Sequence, residues 1–86
     1  MVKYLYAVWD TVRSECNAPF VANNDAHALR VHQHSLKEVP PEYQNELELY
    51  KLGEIVIDTM EITAYAPEVV PKMALVEEEE ENSAGS

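Results

Sequence analysis

The chain has 86 residues, 47% of them hydrophobic, and a net charge of −10 at pH 7. This length allows one hydrophobic core and excludes a second, and no run approaches the ~18 apolar residues that a membrane-spanning helix needs. Because nucleic-acid binding draws on Lys and Arg side chains that neutralise phosphates, 6 basic against 16 acidic residues argue against strong non-specific DNA binding.

The first predicted element is a strand over residues 2–10, because their side chains alternate between two faces. Tyr4 and Tyr6 share one face, and Leu5 and Trp9 share the other. Apolar side chains on both faces favour an interior strand, or a strand whose second face meets a partner.

The next regular element is an amphipathic helix. Asn24 is the predicted N-cap, because its side-chain oxygen can accept a hydrogen bond from a backbone N–H one turn on, and Asp25 then meets the positive end of the helix dipole. The helix is predicted to end near Glu38, because Pro40 and Pro41 cannot continue it. The residues predicted on its buried arc are Ala28, Leu29, Val31, His32, Ser35 and Leu36.

The other segments follow from their composition and periodicity. They are a loop over residues 10–18, an extended segment over 19–22, a helical turn over 42–46, a strand over 47–52, a bulge at Gly53, and a hairpin with arms 55–57 and 61–65 around a bend at 58–60.

The predicted fold is α+β: a small sheet of three to four strands with one amphipathic helix packed on one face. The domain is predicted to span residues 1–66, and residues 67–86 form an extended, proline-containing segment and a disordered acidic tail. Glu77–Glu81 supplies five of the acidic charges, which repel one another, and nothing apolar follows to pack. An edge strand left open could pair with a second copy in a homodimer.

No catalytic, cofactor or metal site is predicted. His27, His32 and His34 point in different directions around the helix or lie too far apart along it, and Cys16 lies in an unrelated loop. His32 lies on the apolar stripe, which predicts a mostly buried imidazole. The two glycines form no phosphate-binding loop, and the single cysteine excludes an internal disulfide and fits a reducing compartment.

Aromatic side chains on the strand are the one predicted binding feature. Tyr4 and Tyr6 could stack nucleic-acid bases, with Lys3, Arg30 and Lys51 as contacts to phosphates or to a protein partner. The alternative, which is the commoner fate of strand aromatics, is that these rings form the core and its rim.

Four segments in this order resemble the non-structural protein family of gokushovirus-type microviruses, small phages with single-stranded DNA genomes. They are YAVWD (Tyr6–Asp10), APFVANNDAHALR (Ala18–Arg30), ELELYKLGE (Glu46–Glu54) and DTMEIT (Asp58–Thr63), so the resemblance covers residues 4–63. Two departures are His32, where the family usually has an aromatic residue, and Ile55–Ile57, where it usually has a polar, glycine-containing turn.

The resemblance implies a non-enzymatic accessory protein of viral DNA synthesis or packaging in the host bacterial cytoplasm. Arg30 is the matched residue that the resemblance leaves as a contact to DNA or protein. Two hypotheses follow: weak binding of single-stranded DNA, or an acidic adaptor or inhibitor that engages a basic host or phage replication protein. The family's setting favours the first and the charge balance favours the second.

Overall fold

The structure is a computed structural model that describes residues 1–71. Three strands, two helices and two further strands follow one another in an α+β arrangement, which confirms the predicted fold class. In chain order the elements are β1 (Val2–Asp10), β2 (Glu15–Cys16), β3 (Phe20–Ala22), α1 (Asp25–Leu36), α2 (Pro41–Gln44), β4 (Leu47–Val56) and β5 (Ile62–Val69).

β1 is the interior strand of an antiparallel sheet with the order β2-β1-β4-β5. On one side it pairs with β4 along its whole length, and on the other it pairs with β3 near Leu5 and with β2 at Trp9 and Asp10. An interior position agrees with the apolar side chains on both faces of this strand. The sequence predicted β1 and β3 but not the two-residue β2.

β2 arises from a turn inside the segment predicted as a loop. The Asp10 carboxylate accepts hydrogen bonds from the backbone N–H groups of Val12 and Arg13, which folds the chain back after β1. Ser14 has a positive φ of 56°, which completes the reversal. The two residues that follow can therefore pair with the end of β1.

The predicted bulge near Gly53 is confirmed. Leu5 is opposite Gly53 and Tyr6 is opposite Lys51, so Leu52 has no partner on β1. A Cβ atom at Gly53 would lie 2.3 Å from the Thr63 carbonyl oxygen of β5, closer than any side chain allows. Glycine is required here because the two backbones approach so closely.

α1 begins as predicted, because the Asn24 side-chain oxygen accepts a hydrogen bond of 2.8 Å from the His27 backbone N–H. The helix ends at Leu36, two residues before the predicted end. Its buried residues are Ala26, Ala28, Leu29 and His32.

The predicted buried arc of α1 was wrong at two positions. Val31 and Ser35 are exposed, and Ala26 is buried instead. α1 directly follows β3 and contacts it, and the side of α1 that faces the sheet runs from Ala26 through Leu29 to His32. The predicted burial of His32 is confirmed, since it is 4% exposed.

The core lies between α1 and the face of the sheet that carries Tyr6 and Val8. Its buried members are Tyr6, Val8, Ala22, Ala28, Leu29, Leu49 and Val70. Burial of this apolar surface stabilises α1, which is too short to be a stable helix in isolation.

The last described segment continues past Ala66. β4 and β5 form the predicted hairpin, with Met60 at a positive φ of 66° in its turn. β5 runs to Val69, and the buried Val70 donates its N–H to the Leu49 carbonyl. The contacts of the sheet therefore extend beyond residue 66, and the predicted acidic tail lies outside the described residues.

Candidate functional site

Tyr6 occupies the centre of the core. Its side chain is 0% exposed, and its ring stacks on Phe20 with 5.8 Å between ring centroids. Its hydroxyl donates a 2.7 Å hydrogen bond to the Asp25 carboxylate in the first turn of α1. Of the two sequence-based interpretations, the core interpretation therefore applies to Tyr6, because a buried ring cannot stack a base from solvent.

Asp25 also binds Lys51, another of the predicted contact residues. The Lys51 ammonium lies 3.3 Å from the same carboxylate oxygen that accepts the Tyr6 hydrogen bond. Lys51 also lies over the ring of Tyr4, 4.0 Å from its centroid, in a cation–π contact. Tyr4, Tyr6, Asp25 and Lys51 thus form one connected group, which we call the Asp25 network.

The Asp25 network joins three elements that are distant in the sequence. Asp25 belongs to α1, the two tyrosines to β1, and Lys51 to β4. A carboxylate at the start of a helix is already favoured by the helix dipole, and the hydroxyl and the ammonium add a neutral and a charged partner. The network therefore fixes the start of α1 against the sheet.

The surroundings of two tyrosines raise the pKa of their hydroxyl groups. Burial, followed by the hydrogen bond to Asp25, raises the pKa of Tyr6 far above its usual value. On β5, the hydrogen bond that Tyr65 donates to Glu54 is the largest cause that raises the pKa of Tyr65 to about 12.

The charge around the Asp25 network is negative. Lys51 lies opposite Glu68 in the register of β4 and β5, and its ammonium is bound by Asp25. Glu54 follows on β4, beyond the bulge. The Lys51 ammonium is thus paired with one carboxylate, and two further acidic residues lie near it on β4 and β5. A phosphate at this ammonium would meet the negative charge of Asp25.

The other two predicted contact residues lie elsewhere. Lys3 points to the opposite face of the sheet from Tyr4, beside Ile55 on β4. Arg30 is exposed on α1. The structure thus brings Tyr4, Tyr6 and Lys51 together and separates Lys3 from them. The sequence predicts Asp25 only as a residue of the first helical turn. Its contacts with Tyr6 of β1 and Lys51 of β4 could not be deduced from the helix pattern.

The opposite face of the sheet carries an apolar concavity of about 350 Å³. We call this side, which neither Tyr6 nor the core helix α1 occupies, the open face. The residues that line the concavity are Ala7, Trp9, Cys16, Tyr50, Leu52 and Pro67. Neither helix contributes a residue to it. The second apolar face of β1 was the signal for it in the sequence.

Three further observations concern possible metal sites, membrane-spanning helices and the cysteine in the described part of the chain. Within residues 1–71, no three His, Cys, Asp or Glu side chains are grouped so that they could hold a metal ion. No helix in the same range is long and apolar enough to cross a membrane. Cys16 is a free thiol at the rim of the concavity.

Comparisons with known proteins identify a family. The family model described as "Phage ORF5 protein" matches residues 3–76, which is most of the chain. No curated protein gives a significant match, and no solved structure does so either. The matched range includes all of β1 except Val2, the Asp25 network and both strands of the hairpin. The chain therefore belongs to the phage ORF5 protein family.

Proposed function

We propose that this phage protein is a non-enzymatic accessory factor of viral single-stranded DNA synthesis or packaging, and that it acts in the host bacterial cytoplasm by contacting a basic replication or packaging protein. The family match supports a phage accessory protein. The resemblance to gokushovirus-type proteins supports the finer assignment to viral DNA synthesis or packaging.

One observation carries the choice of a protein partner over DNA. Lys51 lies over the ring of Tyr4, and Asp25 binds it at 3.3 Å while Glu68 lies opposite it on β5. A phosphate would have to compete with the Asp25 carboxylate for this ammonium. A basic protein surface meets no such competition, and the net charge of −10 attracts it over a distance of about one Debye length.

Weak binding of single-stranded DNA is the second candidate, and Tyr4 is the observation that favours it. Its ring is only partly buried and already holds an ammonium 4.0 Å from its centroid. One base could stack there. This candidate uses Tyr4 and Lys51 and leaves out the buried Tyr6.

A titration of the full chain with fluorescently labelled oligo(dT) separates the two candidates. At ~50 mM salt, where phosphate contacts count most, we expect no binding. Binding that weakens with salt and is lost in Tyr4→Ala, with an unchanged circular dichroism spectrum, would establish the DNA hypothesis instead. Truncation after Val76 removes Glu77–Glu81 and would strengthen such binding, since these glutamates compete with phosphate for cations.

The positive arm tests the partner directly. Each basic protein encoded by the same phage genome is mixed with the full chain, and binding is measured by sedimentation at ~50 and ~300 mM salt. We expect at least one to bind at the lower salt and to dissociate at the higher one. If none of them binds while oligo(dT) does, the adaptor hypothesis is wrong.

A further inference from the structure

We propose that the open face is the docking site for a second copy of this chain, and that two copies stack face to face about a two-fold axis that lies between the two sheets and runs across their strands. The inference goes beyond the proposed function, because it concerns the face opposite α1 and the Asp25 network. It rests on the composition of that face and on the order of its charges.

The open face has an apolar centre. Its middle is the concavity between Trp9, Tyr50 and Leu52, with Ala7 at its floor, 1% exposed. The apolar surface continues on β5, where Ile62 is 61% exposed and Val69 is 52% exposed. A contiguous apolar surface of this kind marks an interaction site in a water-soluble protein.

The two ends of the open face carry opposite charges. Lys3 lies at one end, opposite Ile55 in the pairing of β1 with β4, and Glu48 lies at the other end, opposite Trp9. Both side chains are partly buried, and neither has an ion-pair partner within residues 1–71. Lys3 and Trp9 are six positions apart on β1, so the two ends are about 20 Å apart at the rise of an extended strand.

This order of charges is self-complementary. An isologous two-fold interface brings each surface patch against the same patch of the partner, turned by 180°. Lys3 of one copy then meets Glu48 of the partner subunit, and the reverse pair forms at the other end, while the apolar centres cover each other. Charge complementarity within a single face favours a second copy over an unrelated apolar partner, which would leave one end unpaired.

A charge-swap series on the full chain tests the arrangement. Analytical ultracentrifugation at ~50 mM salt should show a monomer–dimer equilibrium. Lys3→Glu and Glu48→Lys should each weaken the dimer about tenfold, because each turns two attractive pairs of the dimer into repulsive ones. The double variant Lys3→Glu/Glu48→Lys should restore dimerisation.

Rescue in the double variant is specific to the proposed arrangement. Within one copy the two side chains are too far apart to pair, so restored dimerisation requires a contact between copies. Lys37→Glu and Glu42→Lys, which make the same charge changes at exposed positions outside the open face, are the matched controls and should leave the dimer unchanged. Circular dichroism of each variant verifies its fold.

The single tryptophan gives an independent measurement. Trp9 lines the concavity, so its fluorescence should shift to the blue over the concentration range in which the dimer forms. A chain that stays monomeric at ~1 mM, or single reversals that match the controls, would overturn the proposal. Dimerisation without rescue in the double variant would also overturn it and would indicate pairing through an edge strand.

Discussion

Both faces of the sheet carry apolar side chains, but a helix covers only one of them. On the covered face, Tyr6 and Leu49 pack under α1 and are almost completely buried. On the open face, Trp9 and Tyr50 surround a concavity that neither helix enters. The covered face thus holds the domain together, while the open face keeps apolar surface available for contact.

Position, not residue type, decides what a tyrosine does in this sheet. Tyr6 and Tyr50 lie on adjacent strands, but the Tyr6 hydroxyl donates a hydrogen bond to Asp25 at the start of α1, whereas the Tyr50 side chain lines an open concavity.

Removing a core side chain from the covered face should cost the most. Leu29 is 1% exposed, so Leu29→Ala should lower the free energy of unfolding by about 2–5 kcal/mol, since it removes buried apolar surface and leaves a cavity. Urea denaturation followed by circular dichroism measures this. Val31→Ala, on the exposed side of the same helix, is the control and should change stability far less. Equal effects would mean that α1 packs on a different stripe.

The bulge at Leu52 places Lys51 opposite Tyr6, and therefore on the covered face, while Leu52 lies on the open face. Gly53→Ala places a Cβ atom 2.3 Å from the Thr63 carbonyl oxygen, so the strands must separate. We expect a loss of about 1–3 kcal/mol in the free energy of unfolding, as for other overpacked sites. A stability equal to that of the unaltered chain would show that β4 and β5 are further apart than described.

The two tyrosines can be compared directly by removing one oxygen atom from each. Tyr6→Phe keeps the stacked ring and deletes the hydrogen bond to Asp25, which should cost about 1–2 kcal/mol because the acceptor is charged. Tyr50→Phe should cost less than Tyr6→Phe, since its hydroxyl belongs to the open face. Urea denaturation of both variants gives the difference, and the reverse order would refute a structural role for the Asp25 network.

Alkaline pH should weaken the folded state through Tyr65. Its pKa is raised from 10.0 to about 12 in the folded protein, so the folded state keeps a proton that the unfolded state loses. This contribution is complete below pH 10 and is lost as the pH rises toward 12. The free energy of unfolding should therefore fall over that range, and fall less steeply in Tyr65→Phe. A slope unchanged by the substitution would contradict the hydrogen bond to Glu54.

An exposed side chain on the open face should contribute least to folding. Ile62 is 61% exposed, so Ile62→Thr should change the free energy of unfolding by less than about 0.5 kcal/mol. The measurement belongs at low protein concentration, where association is negligible. A loss comparable to that of Leu29→Ala would show that this side chain is part of the core.

Local sequence features predicted most of the elements. The alternation in β1 and the Asn24 cap depend on neighbours within a few residues, and Gly53 interrupts the alternation of apolar residues in β4, so the sequence predicts all three features. The candidate site was less predictable. The sequence predicts Tyr4 and Lys51 as contact residues. It does not predict that the carboxylate paired with Lys51 comes from the first turn of α1, 26 positions away in sequence.

Short-range capping and side-chain periodicity are enough to predict a small acidic α+β domain, a helix that begins after Asn24 and an interior first strand. Neither feature predicts which side of β1 the helix covers, and therefore which aromatic rings are buried, because both faces of β1 are apolar. That outcome depends on how β3 and β4 pair with β1, and these pairings join segments that are distant in the chain.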